Sequence, residues 1–316
     1  FDYGQENYTS LLWAFEGITS YYDNLLVRRA GLMTPSRFLT RLGEAISALH
    51  ATPGRRVQTL AEASLLAWIK HYRPDENSAN SSISYYLKGE IVGVLLDLEI
   101  RRATQDQKSL DDVMRLLWQR YGKENGVPED GVERAASEVA ASDLSVFFQQ
   151  SLRSSQELDY APFAHVGLEV NFRVRESAND KGGSPPRVKP SEWKAKGWLG
   201  VTLKGNSTLA SVLDDSPAMQ AGLYPDDDIV ALDGYRIDGQ GLIARCEEKK
   251  PLEWIRLAIF RRDHLLELPV RLGVKPADAA YLARVEAPTD AQRAAYRRWL
   301  NAPWDEVELA PAPTSS

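Results

Sequence analysis

The spacing of apolar residues changes once along this chain, and the change limits what it can fold into. Up to about residue 155 they recur at helical intervals. Beyond Tyr160 they alternate, as Val166, Leu168, Val170, Phe172 and Val174 do, which is the period of a strand. The pattern predicts a multidomain α plus β protein, and 316 residues suffice for two units with a sizeable core. A net charge of −6, with no basic stripe interleaved with aromatics, argues against a nucleic-acid surface. No apolar run approaches the length of a membrane span. No leader peptide is visible, and the compartment, bacterial periplasm or cytoplasm, stays open.

Six helices are predicted in the first half. Tyr8, Leu11, Leu12, Phe15, Thr19, Tyr22 and Leu26 are expected to share the buried face of the first. Thr34 caps the second and Pro35 suits its first turn; Phe38, Leu42, Ile46 and Leu49 form its stripe. Thr59-Leu60-Ala61-Glu62 has the form of a capping box opening a helix that ends near Tyr72. A loop rich in Asn and Ser runs to Ser82. Ser84 to about Thr104 reads as a long helix, in which Gly89 and Gly93 permit close approach of a neighbour. Ser109 caps a helix through Tyr121, a polar loop follows, and Asp143 caps a helix to Leu152.

In the second half, residues 176–196 are rich in Lys, Ser, Gly and Pro and read as a loop. Strands are expected at Gly197-Trp198-Leu199-Gly200-Val201, from Asp228, from Ile255 and from Leu266. A short helix carries Leu242, Ile243 and Cys246. Cys246 is the single cysteine, so an intramolecular disulfide is excluded; it reads as a small buried residue. The tail from Pro276 carries a helix around 291–300 and ends in a Pro/Ala/Ser stretch predicted to be disordered.

Glu16 stands out chemically. It is the one carboxylate in the helical run from Trp13 to Tyr22, and burying it unpaired costs several kcal/mol. Its partner is either a cation in an ordinary ion pair or a metal. The four histidines, His50, His71, His165 and His264, include no pair at i, i+4. His50 and His71 lie near helix ends, where an exposed histidine is favoured by the helix dipole. The partner of Glu16 is therefore expected to be one that this chain does not fully supply.

Two blocks carry a resemblance to a known family. Glu16-Gly17-Ile18-Thr19 followed by Tyr21-Tyr22 resembles the third zinc-ligand helix of the gluzincin metallopeptidases, and the run from Phe1 to Tyr22 is similar to their glycyl aminopeptidase family. Tyr86-Leu87-Lys88-Gly89 resembles the Tyr-x-Lys-Gly motif downstream of that helix. Arg29-Ala30-Gly31-Leu32, Ala67-Trp68-Ile69-Lys70 and Leu96 to Arg101 fit the same family, and the resemblance spans roughly residues 1–275. It implies a zinc-dependent aminopeptidase that releases N-terminal glycine or alanine from peptide or protein substrates. It makes Glu16 a zinc ligand and Tyr86, rather than Tyr85, the donor to the oxyanion. Thr19 and Tyr22, about one helical turn from Glu16, are read either as orienting it or as core residues. The family's His-Glu-x-x-His is missing. The chain is accordingly expected to be a C-terminal fragment, inactive alone, with zinc absent or weakly bound.

The succession of Ser216-Pro217-Ala218, Ala221-Gly222-Leu223, Asp228-Ile229-Val230 and Asp233-Gly234 resembles a bacterial PDZ domain. The resemblance implies an α-helical gluzincin-type catalytic subdomain over 1–158, a PDZ-like β-barrel domain over 160–275 containing the 176–196 loop, and the tail 276–316. Trp198, Leu199, Gly200 and Val201 would form a loop that captures a C-terminal carboxylate, and Leu242, Ile243 and Cys246 a pocket for the last ligand residue. Two other readings stay open: a non-enzymatic peptide-binding protein built on the PDZ domain, and a pseudopeptidase scaffold.

Overall fold

The computed structural model of the chain describes residues 4–123, 126–187 and 193–305. Phe1, Asp2 and Tyr3, part of the 176–196 loop, and the Pro/Ala/Ser tail lie outside the described residues. A π-helical stretch, Trp13–Ile18, runs without interruption into α1, Thr19–Arg29. In α2, Pro35–His50, the Thr34 hydroxyl accepts from the Arg37 N–H. The Thr59–Glu62 capping box opens α3, Leu60–Leu65, and a second π-helical stretch, Ala67–His71, follows. A short α4, Ser78–Ser81, occupies the expected loop. Ser84 caps α5, Tyr85–Ala103, and Ser109 caps α6, Leu110–Tyr121. Helix α7, Gly131–Ala140, lies where a polar loop was expected. Its buried face consists of Val132, Ala135, Ala136 and Ala140, small side chains that make a weak stripe, and no side chain caps its start. Asp143 accepts from the Ser145 N–H at the start of α8, Ser145–Leu152.

The first helix buries a different face from the expected one. Leu11, Trp13, Ala14, Ile18, Tyr21 and Leu25 are buried, whereas Tyr8, Phe15 and Leu26 are 53%, 46% and 57% exposed. Two neighbouring apolar stripes fit a helical period here, and the buried one, Leu11, Ala14, Ile18, Tyr21 and Leu25, recurs at steps of three and four residues on the adjacent face.

The chain then forms β1, Leu168–Arg173, and a β-rich unit: β2, Gly197–Trp198; β3, Val201–Lys204; β4, Thr208–Val212; α9, Pro217–Gln220; β5, Asp228–Leu232; β6, Tyr235–Arg236; α10, Gly239–Glu248; β7, Trp254–Arg261; β8, His264–Arg271; and β9, Gly273–Val274. It ends with β10, Ala279–Arg284, and α11, Asp290–Leu300. The expected β-barrel is not what the described residues form. They make an open sheet in the order β3-β4-β5-β7-β8 with β6 on β5, and two separate strand pairs, β2-β9 and β1-β10. Strand β3 pairs on one side only, so its outer edge is free among the described residues.

Two apolar clusters divide the molecule. One joins α1 to α8 with Val166, Leu168, Ala280, Tyr296 and Trp299; the other lies wholly between Leu199 and Leu272. Strand β1 was expected to open the second unit and residues from 276 to form a tail, but both pack on the helices. Antiparallel pairing of Leu168–Arg173 with Ala279–Arg284 holds them there, and α11 seals the helical core through Trp299, whose Nε1 donates to the Tyr21 hydroxyl at 2.8 Å. Tyr21 in turn donates to Asp97 (2.6 Å), which also accepts from Arg101 and from the Leu110 N–H.

Two glycines make a very close contact in the helical unit. A Cβ on Gly17 would sit 2.4 Å from the Gly89 backbone, and one on Gly89 would sit 2.8 Å from the Trp13 carbonyl. The π-helical stretch and α5 thus cross backbone to backbone. At Gly93, one turn on, an added Cβ would meet Ile18 at an ordinary 3.6 Å. Gly17→Ala should therefore destabilise the fold by about 1–3 kcal/mol or more. Gly93→Ala should lie within about 1 kcal/mol of neutral, because the gain in helix propensity offsets a mild contact. Urea unfolding of the two variants checks this; equal losses would mean that the crossing is no tighter at Gly17.

Glu90, beside Gly89, is half-buried and accepts from Asn24 at 3.2 Å. Burial pushes its carboxyl up to about 7, against the Asn24 bond and the charge of Arg41. The folded state then holds a proton that the unfolded chain releases near pH 4.5, so stability falls as pH rises from about 4.5 to 7 and stays lower above. Glu90→Gln should match the parent below pH 4.5 and exceed it above pH 7 by on the order of 1–3 kcal/mol, which unfolding curves across pH would reveal. No gain at pH 8 would contradict the assignment.

Candidate functional site

The start of the π-helical stretch is pinned where the buried Ser64 hydroxyl accepts from the Trp13 N–H at 3.0 Å. From that anchor the stretch presents Trp13, Ala14, Gly17 and Ile18 to the core and leaves Glu16 half-buried at the edge. Because Gly17 meets Gly89, Glu16 faces the first turn of α5. Tyr86 stands there, half-buried, while its neighbour Tyr85 is 1% exposed and belongs to the core. The Tyr85 hydroxyl pairs with that of Tyr72 at 2.8 Å, and the rings of Tyr85 and Tyr86 lie 4.6 Å apart. His71 packs against Tyr72, Tyr85 and Tyr86 at 5.2, 5.0 and 5.9 Å. Neither Tyr72 nor His71 was singled out from the sequence as part of this group; they arrive through the π-helical stretch at 67–71, which a 3.6 period does not anticipate.

Several groups near Tyr86 decide its protonation. The hydrogen bond with Tyr85 lowers the pKa of its phenol, but burial, Tyr72 and the nearby Glu16 charge outweigh this and the net direction is upward. Tyr86 is therefore a proton-bearing donor at neutral pH. The Glu16 carboxylate makes no hydrogen bond or ion pair with the described residues. The expected ordinary ion pair is thus missing among them, and the carboxylate stands half-buried beside a phenol.

Thr19 and Tyr22 are not turned to Glu16. The Thr19 hydroxyl donates to the Phe15 carbonyl within its own helix. The Tyr22 hydroxyl donates to Asp111 at 2.7 Å, and Asp111 pairs with Arg29. The Glu16 carbonyl accepts from the Ser20 hydroxyl at 2.7 Å and from the Thr19 backbone N–H. Among the described residues no three His, Cys, Asp or Glu side chains come together as a metal would need. His50 is engaged by the Tyr160 hydroxyl at 3.0 Å and stacks on Phe172, and burial pushes its pKa down to about 4 despite Glu157. The donor set fits one oxygen ligand, Glu16, and not a complete metal centre.

A second constellation lies in the β-rich unit. Gly200 has a φ of +84°, and a Cβ there would stand 2.2 Å from that of Ser216, so the turn requires glycine. The carbonyls of Leu199 and Gly200 accept from Ala218 and Leu213, at 3.0 and 2.9 Å. Their N–H groups find no acceptor among the described residues. The free edge of β3 follows directly. Helix α10 runs alongside it: Gly239 starts against Leu203 and Asn206, and Cys246 ends against Gly197. Trp198 is half-buried, and its ring comes within 3.0 Å of where a Gly200 Cβ would be. Of the three side chains expected in a pocket, Leu242 and Cys246 are 0% and 2% exposed and belong to the core; Ile243 is half-buried. Burial pushes the Cys246 thiol up to about 12, so it stays a protonated core residue. No described helix is long and apolar enough to cross a membrane.

Residues 1–92 match the family model of the M61 glycyl aminopeptidases. Among solved structures, an aminopeptidase N family protein from Idiomarina loihiensis is 29% identical, with a TM-score of 0.84 over 95% of this chain and 50% of its own. The chain thus spans about half the length of that protein. The HtrA-type protease AlgW with a decapeptide is 26% identical over 26% of this chain and 30% of its own, with a TM-score of 0.25. A serine endoprotease from Yersinia pestis is 19% identical over 25% and 29%, with a TM-score of 0.24. No curated protein matches. The described residues share a mixed α and β fold with that aminopeptidase N family protein, and over its first 92 residues the chain is similar to the M61 glycyl aminopeptidases.

Proposed function

We propose that this chain supplies one side of a zinc-dependent aminopeptidase site that releases N-terminal glycine or alanine, with Glu16 as a metal ligand and Tyr86 as the oxyanion donor. The observation that carries this is the Glu16 carboxylate, half-buried beside the Tyr86 phenol and unpaired by the described residues. The remaining ligands would come from outside these 316 residues. Zinc, when bound, acidifies its water and polarises the scissile carbonyl. Glu16 would hold its place through the Gly17–Gly89 crossing. Tyr86, kept protonated by its surroundings, would donate to the oxygen on which negative charge develops, and Tyr85 and Tyr72 would fix the angle of that donation. In the zinc-loaded peptidase, Glu16→Ala should abolish both metal binding and turnover. Tyr86→Phe should keep the metal and lower kcat about 10²–10³-fold. Metal analysis beside steady-state kinetics separates the two roles, and a normal kcat in Tyr86→Phe would remove Tyr86 from the mechanism.

A second reading concerns the β-rich unit and has its own observation: two consecutive N–H groups without acceptors among the described residues at the Leu199–Gly200 turn, opening onto the free edge of β3. We infer a PDZ-like unit in which an extended peptide adds as a strand to β3 and seats its C-terminal carboxylate on those N–H groups. Ile243 and the stem of Trp198 would favour small or medium apolar last residues. A carboxylate gains about 1.5–3 kcal/mol from such bonds, so a peptide acid should bind the full chain at least about tenfold more tightly than its amide. Titration by fluorescence anisotropy would test this, and equal affinity would leave the unit a structural brace.

A further inference from the structure

The two units meet at one buried side chain whose bonds lead to both candidate sites. Asn80, in α4, is 3% exposed. Its amide nitrogen donates to the Val212 carbonyl at 2.8 Å and to Asn77 Oδ1 at 2.9 Å, and its oxygen accepts from the Asp214 N–H at 2.9 Å. Asn80 therefore grips the backbone on both sides of Leu213. Leu213 itself donates its N–H to the carbonyl of Gly200, the residue at the centre of the unsatisfied turn. In the other direction, α4 leads directly into α5. The Ser82 backbone rests on Gly54 so closely that a Cβ on Gly54 would meet the Ser82 carbonyl at 2.3 Å. The Ile83 N–H donates to the buried Gln58 side chain at 2.9 Å, and the Ser84 hydroxyl caps α5 through the Leu87 N–H. Tyr86 lies in this capped turn.

We propose that Asn80 couples the two sites. It is a positioning residue through which capture of a carboxylate at Leu199–Gly200 is transmitted to the first turn of α5, where Tyr86 stands; the proposal rests on the peptide-capture reading given above. The physical route is short. A carboxylate bound to the Leu199 and Gly200 N–H groups restrains the peptide plane that ends at Gly200 N, and so the backbone of Gly200, whose own carbonyl lies one peptide plane further on. The Gly200 carbonyl then holds Leu213, and the flanking Val212 and Asp214 present a fixed acceptor and donor pair to Asn80. All of these are hydrogen-bonded backbone groups in contact, so the coupling needs no long path through the core. Coupling of this kind is reciprocal: order at the start of α5 would strengthen peptide capture by the same factor.

Hydrogen–deuterium exchange on the full chain tests it, using a short acetylated peptide ending in valine and its C-terminal amide. With the acid, exchange at residues 199–201 and at residues 82–88 should both slow, the latter at least about fivefold, the lower end of ordinary coupling. With the amide neither should change. In Asn80→Ala the acid should still slow residues 199–201, while the response at 82–88 is lost. Asn80→Asp, nearly the same size, keeps the acceptor for the Asp214 N–H but sets an oxygen against the Val212 carbonyl. It should lose the response as well, and serves if the alanine variant does not fold. A structural prop alone would give no response of residues 82–88 to peptide in the parent chain. That result, or an undiminished response in either folded variant, overturns the coupling and leaves peptide capture standing. An acid that does not bind at all overturns both.

Discussion

Everything that brings the candidate peptidase residues together depends on one contact without side chains, the meeting of Gly17 and Gly89. Backbones at that distance leave no room for a methyl group on either helix. The result is a short lever: Glu16 is one residue from the contact on one side, and Tyr86 three residues from it on the other. Displacing either helix by the width of a methyl group would part the Glu16 carboxylate from the phenol on which its charge acts. The site is thus as exact as the packing beneath it. The supporting packing is extensive: Trp13 is anchored on Ser64, and Tyr21, one turn beyond the crossing, is held by Asp97 of α5 and by Trp299.

The π-helical geometry belongs to the same arrangement. Along this stretch Trp13, Ala14, Gly17 and Ile18 face inward while Phe15 is exposed. That leaves Glu16 at the border of the core, dry enough for its charge to be felt by Tyr86 and open enough to meet a ligand. Wide turns of this type recur at functional positions because they present a side chain that ordinary periodicity would hide.

Much of the architecture was legible because capping and turn chemistry are local. Thr34-Pro35, Thr59 with Glu62, Ser84 and Ser109 each begin a helix through bonds to residues a few positions away. The buried stripe of α2 followed the same short-range logic. What local pattern could not carry was of three kinds. The rotation of the first helix was hidden because two neighbouring stripes, one through Leu12 and Phe15 and one through Leu11, Ala14 and Ile18, both fit a helical period. Helix α7 was hidden because alanines supply little contrast. The return of β1, β10 and α11 to the helical core was hidden because it depends on pairing across more than a hundred positions, from Leu168 to Arg284. For the site, the residue types at Glu16 and Tyr86 could be picked out, but the bonds of Thr19 and Tyr22 could not. Thr19 turns back on its own helix and Tyr22 reaches Asp111, choices made by tertiary packing.

The pairing of β1 with β10 also bears on how the chain is made. Arg173 lies opposite Ala279, so the polypeptide leaves the helical unit and re-enters it at adjacent points, with the whole β-rich unit strung between them. On a ribosome the helices emerge before the β-rich unit, yet Tyr296, Trp299 and Trp304, which complete their core, emerge after it. The β-rich unit, whose apolar cluster lies within its own stretch of chain, can close while the older helical part still waits with an open seam. Order of synthesis and order of completion are therefore reversed between these two units: the one translated earlier is finished later.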